Sequence, residues 1–73
     1  MNSSIQHILG ENVRRERERA GFKKSRFCLT AGISRPVLDQ IERGESNPTL
    51  DTLDHLASCL EVEIWELLKP RQP

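Results

Sequence analysis

The strongest constraint on the fold is a pair of helical patterns in "KSRFCLTAGISRPVLDQIERG", separated by only about three residues around Gly32. Upstream, Phe27, Cys28 and Ala31 share one face of a helix expected from about Lys24 to Ala31. Downstream, Ser34 is a good N-cap, and Pro36 suits a first turn whose amide has no intrahelical partner to lose. Leu38 and Ile41 then form a narrow apolar seam before Gly44 ends the pattern. Two short helices joined this tightly cannot lie antiparallel, so they must cross steeply. Counting from Lys24, the fourth, eighth, tenth, fifteenth and eighteenth positions are Phe27, Ala31, Ile33, Leu38 and Ile41, all apolar. The fifth is Cys28, small enough for crossing helices to approach closely. The ninth is Gly32, which takes the positive φ angle such a turn requires.

Similar periodicity predicts three further helices. From Ile5 to about Ala20, the residues Ile5, Ile8, Leu9, Val13 and Ala20 recur at helical spacing, and Gly21 closes the run. Thr49 caps a helix carrying Leu50, Leu53, Leu56, Ala57 and Leu60. A last short helix holds Ile64, Trp65, Leu67 and Leu68 and stops before Pro70. No segment alternates with the two-residue period of a strand. The expected fold is all-α, with five helices in one domain over residues 1–69 and a short tail at 70–73.

Composition excludes several classes. No apolar run approaches the length of a membrane span, and 36% hydrophobic residues suit a small solvated domain. The opening "MNSSIQHILG" has no basic region before an apolar stretch, which argues against a secretory signal. Cys28 and Cys59 are too few for a disulfide scaffold and lack metal-ligand spacing, so they read as small core residues in a reducing cytoplasm. His7 and His55 share no obvious partners for a metal. No catalytic pairing, phosphate loop or nucleophile motif is present, so neither an enzyme nor a cofactor is expected. Net charge is zero, but residues 1–44 hold nine Lys or Arg against five Asp or Glu, whereas residues 45–73 hold two against six. Such a dipolar chain can present a basic face to an anionic partner.

The polar face of the third helix therefore needs a purpose. Together with "LGENVRRERERAG", "AGISRPVLDQIERGESNPTLDTLDHLA" and "LEVEIWELL", it gives the chain a resemblance to the XRE family, the helix-turn-helix domains of lambdoid phage repressors and Cro. The resemblance covers roughly residues 8–69 and implies a five-helix domain that binds DNA as a dimer, with the third helix in the major groove. It makes Arg35, Pro36, Val37 and Gln40 the candidate base contacts. Arg35 has the fork to chelate guanine O6 and N7, Gln40 can pair with adenine, and Val37 offers a methyl surface to thymine. Lys23, Lys24, Ser25, Arg26 and Arg43 are the candidate phosphate contacts. Asn47 either joins them or caps its own turn. Lysine caps poorly, so Lys23 should leave the second helix with an untidy start.

The resemblance also implies a largely buried ion pair between Arg17 and Glu42 that fixes the reading helix. Three positions depart from the family pattern. Glu16 interrupts the apolar stripe of the first helix, Glu61 stands where glycine is usual, and Trp65 replaces a polar residue. By elimination, Glu61, Ile64 and Trp65 are the candidate dimer interface, since a large exposed aromatic makes a good anchor. The competing expectation folds Trp65 back under Ile5 and Ile8. The expected function is a cytoplasmic, sequence-specific DNA-binding transcriptional regulator, a homodimer on a palindromic operator, with no membrane and no small-molecule ligand. The rival is an antitoxin-like protein-interaction module with secondary DNA binding. The bare tail "PRQP" favours the regulator, because antitoxins typically carry an extra segment that wraps the toxin.

Overall fold

The computed structural model describes residues 4–71. Among them are five helices in the order α1 (Ile5–Arg19), α2 (Lys24–Ala31), α3 (Arg35–Glu42), α4 (Leu50–Leu60) and α5 (Ile64–Leu68), and no strand. Residues 1–3, assigned above to the domain, and residues 72–73 of the tail lie outside the described residues.

Local chemistry accounts for where each helix begins. Ser4 Oγ accepts the His7 amide at 3.1 Å, Ser34 Oγ accepts the Val37 amide at 3.2 Å, and Thr49 Oγ1 accepts the Thr52 amide at 3.1 Å. Each such cap contributes about 1 kcal/mol by satisfying an otherwise orphaned amide. The short α5 begins with a capping box, in which the Glu63 amide donates to Glu66 Oε2 at 3.0 Å. The start of α2 is the exception: Lys23 takes the capping backbone conformation without a side-chain bond.

One core joins the helices. Val13, Phe27, Leu38, Leu56 and Leu67 are fully buried, with Ile41 nearly so. α1 lies against α3 and α5, while α2 packs on α3 and α4, and α4 closes the core against α1 and α5. The Phe22 and Phe27 rings meet at 5.6 Å between centroids and 60° between planes, a tilted geometry that suits their quadrupoles.

The buried face of α1 differs from the expected apolar stripe. Leu9 and Val13 are buried, but Ile5 is 55% exposed, Ala20 is exposed and Ile8 only half-buried. Gly10, Asn12 and Arg17 are buried instead. Gly10 lies against the C-terminal end of α3, where a Cβ would fall 2.9 Å from the Glu42 carbonyl oxygen and closer still to that of Ile41. Two turns along the same face, Arg17 is brought beside α3. Asn12, one turn from Leu9, turns toward α5, and its Nδ2 donates to the carbonyl oxygens of Leu67 and Lys69, each at 2.9 Å. Its Oδ1 accepts from Arg15. α1 is thus docked by two methyl-bearing side chains, a missing side chain and two polar groups. Glu16 sits half-buried at the edge, with Arg19 Nη1 at 3.4 Å.

Glu61 adopts the left-handed conformation that closes α4, with φ 59° and ψ 41°. For a residue with a Cβ this costs about 1–2 kcal/mol. Cys28 is buried, and burial pushes its thiol above the ordinary range. Cys59 is only partly buried against the core, with its Sγ 3.7 Å from the Thr30 carbonyl oxygen.

Candidate nucleic-acid interface

The turn between α2 and α3 is built from Gly32 outward. Gly32 takes φ 71° and ψ 32°, and the next amide, of Ile33, donates back to the Cys28 carbonyl at 3.1 Å. The Cys28 Sγ lies 3.7 Å from the Ser34 carbonyl oxygen, so one small buried side chain touches both sides of the turn. Ser34 then caps α3 with Pro36 in its first turn. With the turn fixed, helical period decides the rest. Leu38 and Ile41 are 0% and 1% exposed, and Arg35, Pro36, Val37 and Gln40 all lie exposed on the remaining face.

An ion pair anchors the far end of α3. Arg17 Nε donates to Glu42 Oε2 at 2.7 Å and Nη2 reaches Oε1 at 3.3 Å, a bidentate pairing. Arg17 Nη1 also donates to the Phe22 carbonyl at 2.8 Å, securing the α1–α2 connection. The side chains of both partners are almost fully buried, at 7% and 6% exposure. The hydrogen bond to Glu42 holds the Arg17 guanidinium above its ordinary pKa. It is permanently charged, so each partner depends on the other.

Asp39 makes a second polar junction that sequence reasoning missed. Its Oδ1 accepts from Lys24 Nζ at 3.1 Å and stands 3.7 Å from Arg35 Nε. The Lys24 hydrogen bond, reinforced by the positive charges of Lys24, Arg35 and Arg43, holds the Asp39 carboxyl below its usual range. The available signal was an acid four residues after Arg35, the spacing that pairs side chains along a helix.

The other candidate residues separate by environment. Lys23, Ser25 and Arg26 are exposed around the start of α2, whereas Lys24 is half-buried in its bridge to Asp39. Arg43 is exposed, with Nε 3.2 Å from Glu45 Oε1, and Asn47 is exposed in the loop before α4. At the opposite end of the chain, Glu61 and Trp65 are exposed, Trp65 by 60%, with Lys69 Nζ 4.9 Å from the indole centroid. Trp65 is therefore not folded beneath Ile5 and Ile8. Ile64, grouped with these two by sequence, is instead partly buried against the core.

Residues 13–67 match the HTH_3 helix-turn-helix family model. The chain belongs to that family. Its members are DNA-binding transcriptional regulators of the XRE type, in keeping with the five-helix fold and the turn around Gly32. The chain is 33% identical over 69 residues to the HTH-type transcriptional regulator SutR of Escherichia coli, covering 94% of this chain and 39% of that protein. It is 36% identical over 64 residues to the control protein C.SmaI of Serratia marcescens, covering 88% and 76%. Among solved structures, the biofilm master regulator SinR in complex with DNA superposes with a TM-score of 0.79 at 27% identity, covering 84% of this chain and 98% of that one. The chain spans between 39% and 47% of the lengths of the first three curated relatives. Among the described residues no helix is long and apolar enough to cross a membrane.

Proposed function

We propose that this helix-turn-helix regulator binds a specific palindromic operator as a cytoplasmic homodimer, placing α3 in the major groove, with residues 1–69 as the DNA-binding domain and 70–73 as a tail. The observation that carries the reading is the division of α3 into two faces. Leu38 and Ile41 are given wholly to the core, leaving Arg35, Pro36 and Val37 in the first turn and Gln40 one turn further on exposed to solvent. These side chains carry the chemistry that distinguishes bases: a bidentate fork for guanine, an amide for adenine and a methyl surface for thymine. Lys23, Ser25, Arg26, Arg43 and Asn47 supply phosphate contacts that position the helix, and Lys24 does so while bridged to Asp39.

One reading helix covers only a few base pairs, so specificity calls for a second copy related by a two-fold axis. Exposed Trp65 and Glu61 support a self-complementary patch at the end of α4 and the start of α5, with Ile64 backing it from the core side.

Sedimentation and operator binding of Trp65→Ala test the assembly. The reading expects a monomer at micromolar concentration, with helix content retained and cooperative operator binding lost. A variant that remains dimeric removes Trp65 from the interface.

A further inference from the structure

Two cations of the DNA-facing surface, one from each helix of the motif, converge on one oxygen. Lys24 of α2 and Arg35 of α3 stand 3.1 Å and 3.7 Å from Asp39 Oδ1, and the Asp39 side chain is 30% exposed beside them. We propose that Asp39 is a specificity-determining residue that acts through Arg35, orienting it as a base reader, and that it also restrains Lys24 as a phosphate binder. The inference rests on the reading of α3 as the base-contacting helix.

The geometry supplies the mechanism. Asp39 lies one helical turn beyond Arg35, and it meets the guanidinium from the Nε side. That approach leaves open the outer edge of the guanidinium, where one N–H from each terminal nitrogen can meet guanine O6 and N7. An arginine held in this way loses less side-chain freedom on meeting its base, and so discriminates better. Lys24 gains nothing in specificity from phosphate, because every sequence offers the same phosphates. Engaging it with Asp39 lowers the attraction to all DNA alike. The two effects act together. Only the first changes the ratio of specific to unrelated binding; the second lowers binding to every duplex, the preferred one included.

Asp39→Asn keeps the side-chain shape and removes the charge. Its binding is compared with that of the wild type on the sequence the wild type selects from random duplexes and on an unrelated duplex, across a salt series. Asp39→Asn is expected to bind the unrelated duplex more tightly, with a salt slope steeper by a fraction of a unit as the partly restrained Lys24 engages phosphate fully. The ratio of specific to unrelated binding is expected to fall about five- to tenfold, a part of what one bidentate base contact supplies.

A merely structural role would lower thermal stability while leaving that ratio in place. The double variant Arg35→Ala/Asp39→Asn separates the two, because Asp39→Asn has no orienting work left once Arg35 is gone. In that background its effect on the preference at the Arg35 base pair is expected to vanish. An unchanged ratio in Asp39→Asn, or the same loss of preference with and without Arg35, overturns the inference while leaving the base-reading role of α3 in place. A wild-type protein that selects no sequence overturns both.

Discussion

Asn12 and Leu67 are fifty-five positions apart, yet the Asn12 amide donates to the Leu67 carbonyl at 2.9 Å inside the protein. The same nitrogen reaches the Lys69 carbonyl at 2.9 Å. α5 has only five residues, too few to hold its own C-terminal carbonyls by internal bonds. The middle of α1 therefore closes the end of α5.

Asn12→Ala strands the buried Leu67 carbonyl and takes its donor from the partly buried Lys69 carbonyl. Each unsatisfied buried group costs about 1–3 kcal/mol, so the variant should unfold at markedly lower denaturant concentration. Because α5 carries Trp65 of the proposed interface, dimer formation should weaken in the same variant. Equilibrium denaturation with unchanged stability would show that the two bonds contribute nothing.

Gly10→Ala sets two effects of opposite sign against each other. Helix propensity favours alanine by about 1 kcal/mol. Against that, the new Cβ would meet the carbonyls of Ile41 and Glu42, backbone atoms that move only if α3 moves. Overpacking of this kind costs about 1–3 kcal/mol, and the contact here is with rigid backbone, so destabilisation should win. DNA binding should fall as well, since α3 is the element displaced. A rise in melting temperature would contradict the close approach of α1 and α3.

Glu61→Gly should stabilise the protein. Glu61 is the one non-glycine residue at positive φ among those described, and the left-handed penalty of about 1–2 kcal/mol exceeds the extra unfolded-state freedom of glycine, roughly 0.4–1 kcal/mol. The net gain should fall between about 0 and 1.6 kcal/mol, visible as a small rise in melting temperature.

These residues also show where sequence stops being informative. All five helices, the side-chain caps Ser34 and Thr49 and the positive φ at Gly32 follow from local chemistry, which acts within four residues. The exposed face of α3 was legible for the same reason: Leu38 and Ile41 determine which side chains remain outside. The roles of Asn12, Gly10 and Asp39 depend on what lies opposite, supplied by α5, α3 and α2, and a one-dimensional pattern does not state that. Hydropathy also misled on α1. Helical spacing puts Ile5 in the apolar stripe, yet it is exposed, whereas the polar Asn12 and Arg17 are buried because each finds a specific partner.

Arg17 and Arg35 should behave as opposites. Arg17→Ala leaves the Glu42 carboxylate buried without its counterion, a loss of about 3–5 kcal/mol, and should lower the melting temperature before any effect on DNA. Arg35→Ala should melt like the wild type, because its side chain is 55% exposed, yet lose about 1–3 kcal/mol on the preferred site and relax preference at one base pair per half-site. Thermal melts and competition binding on the two variants decide the matter. An unfolded Arg35→Ala or a fully stable Arg17→Ala would reverse the assignments.

In the proposed function α3 reads base sequence in a two-fold symmetric assembly. Selection of bound fragments from a pool of random double-stranded DNA tests it most directly. Enrichment is expected of an inverted repeat whose half-sites are centred about 34 Å apart, one turn of the duplex, on the same face. Recovery of the pool without enrichment, or of a single site lacking two-fold symmetry, would contradict it.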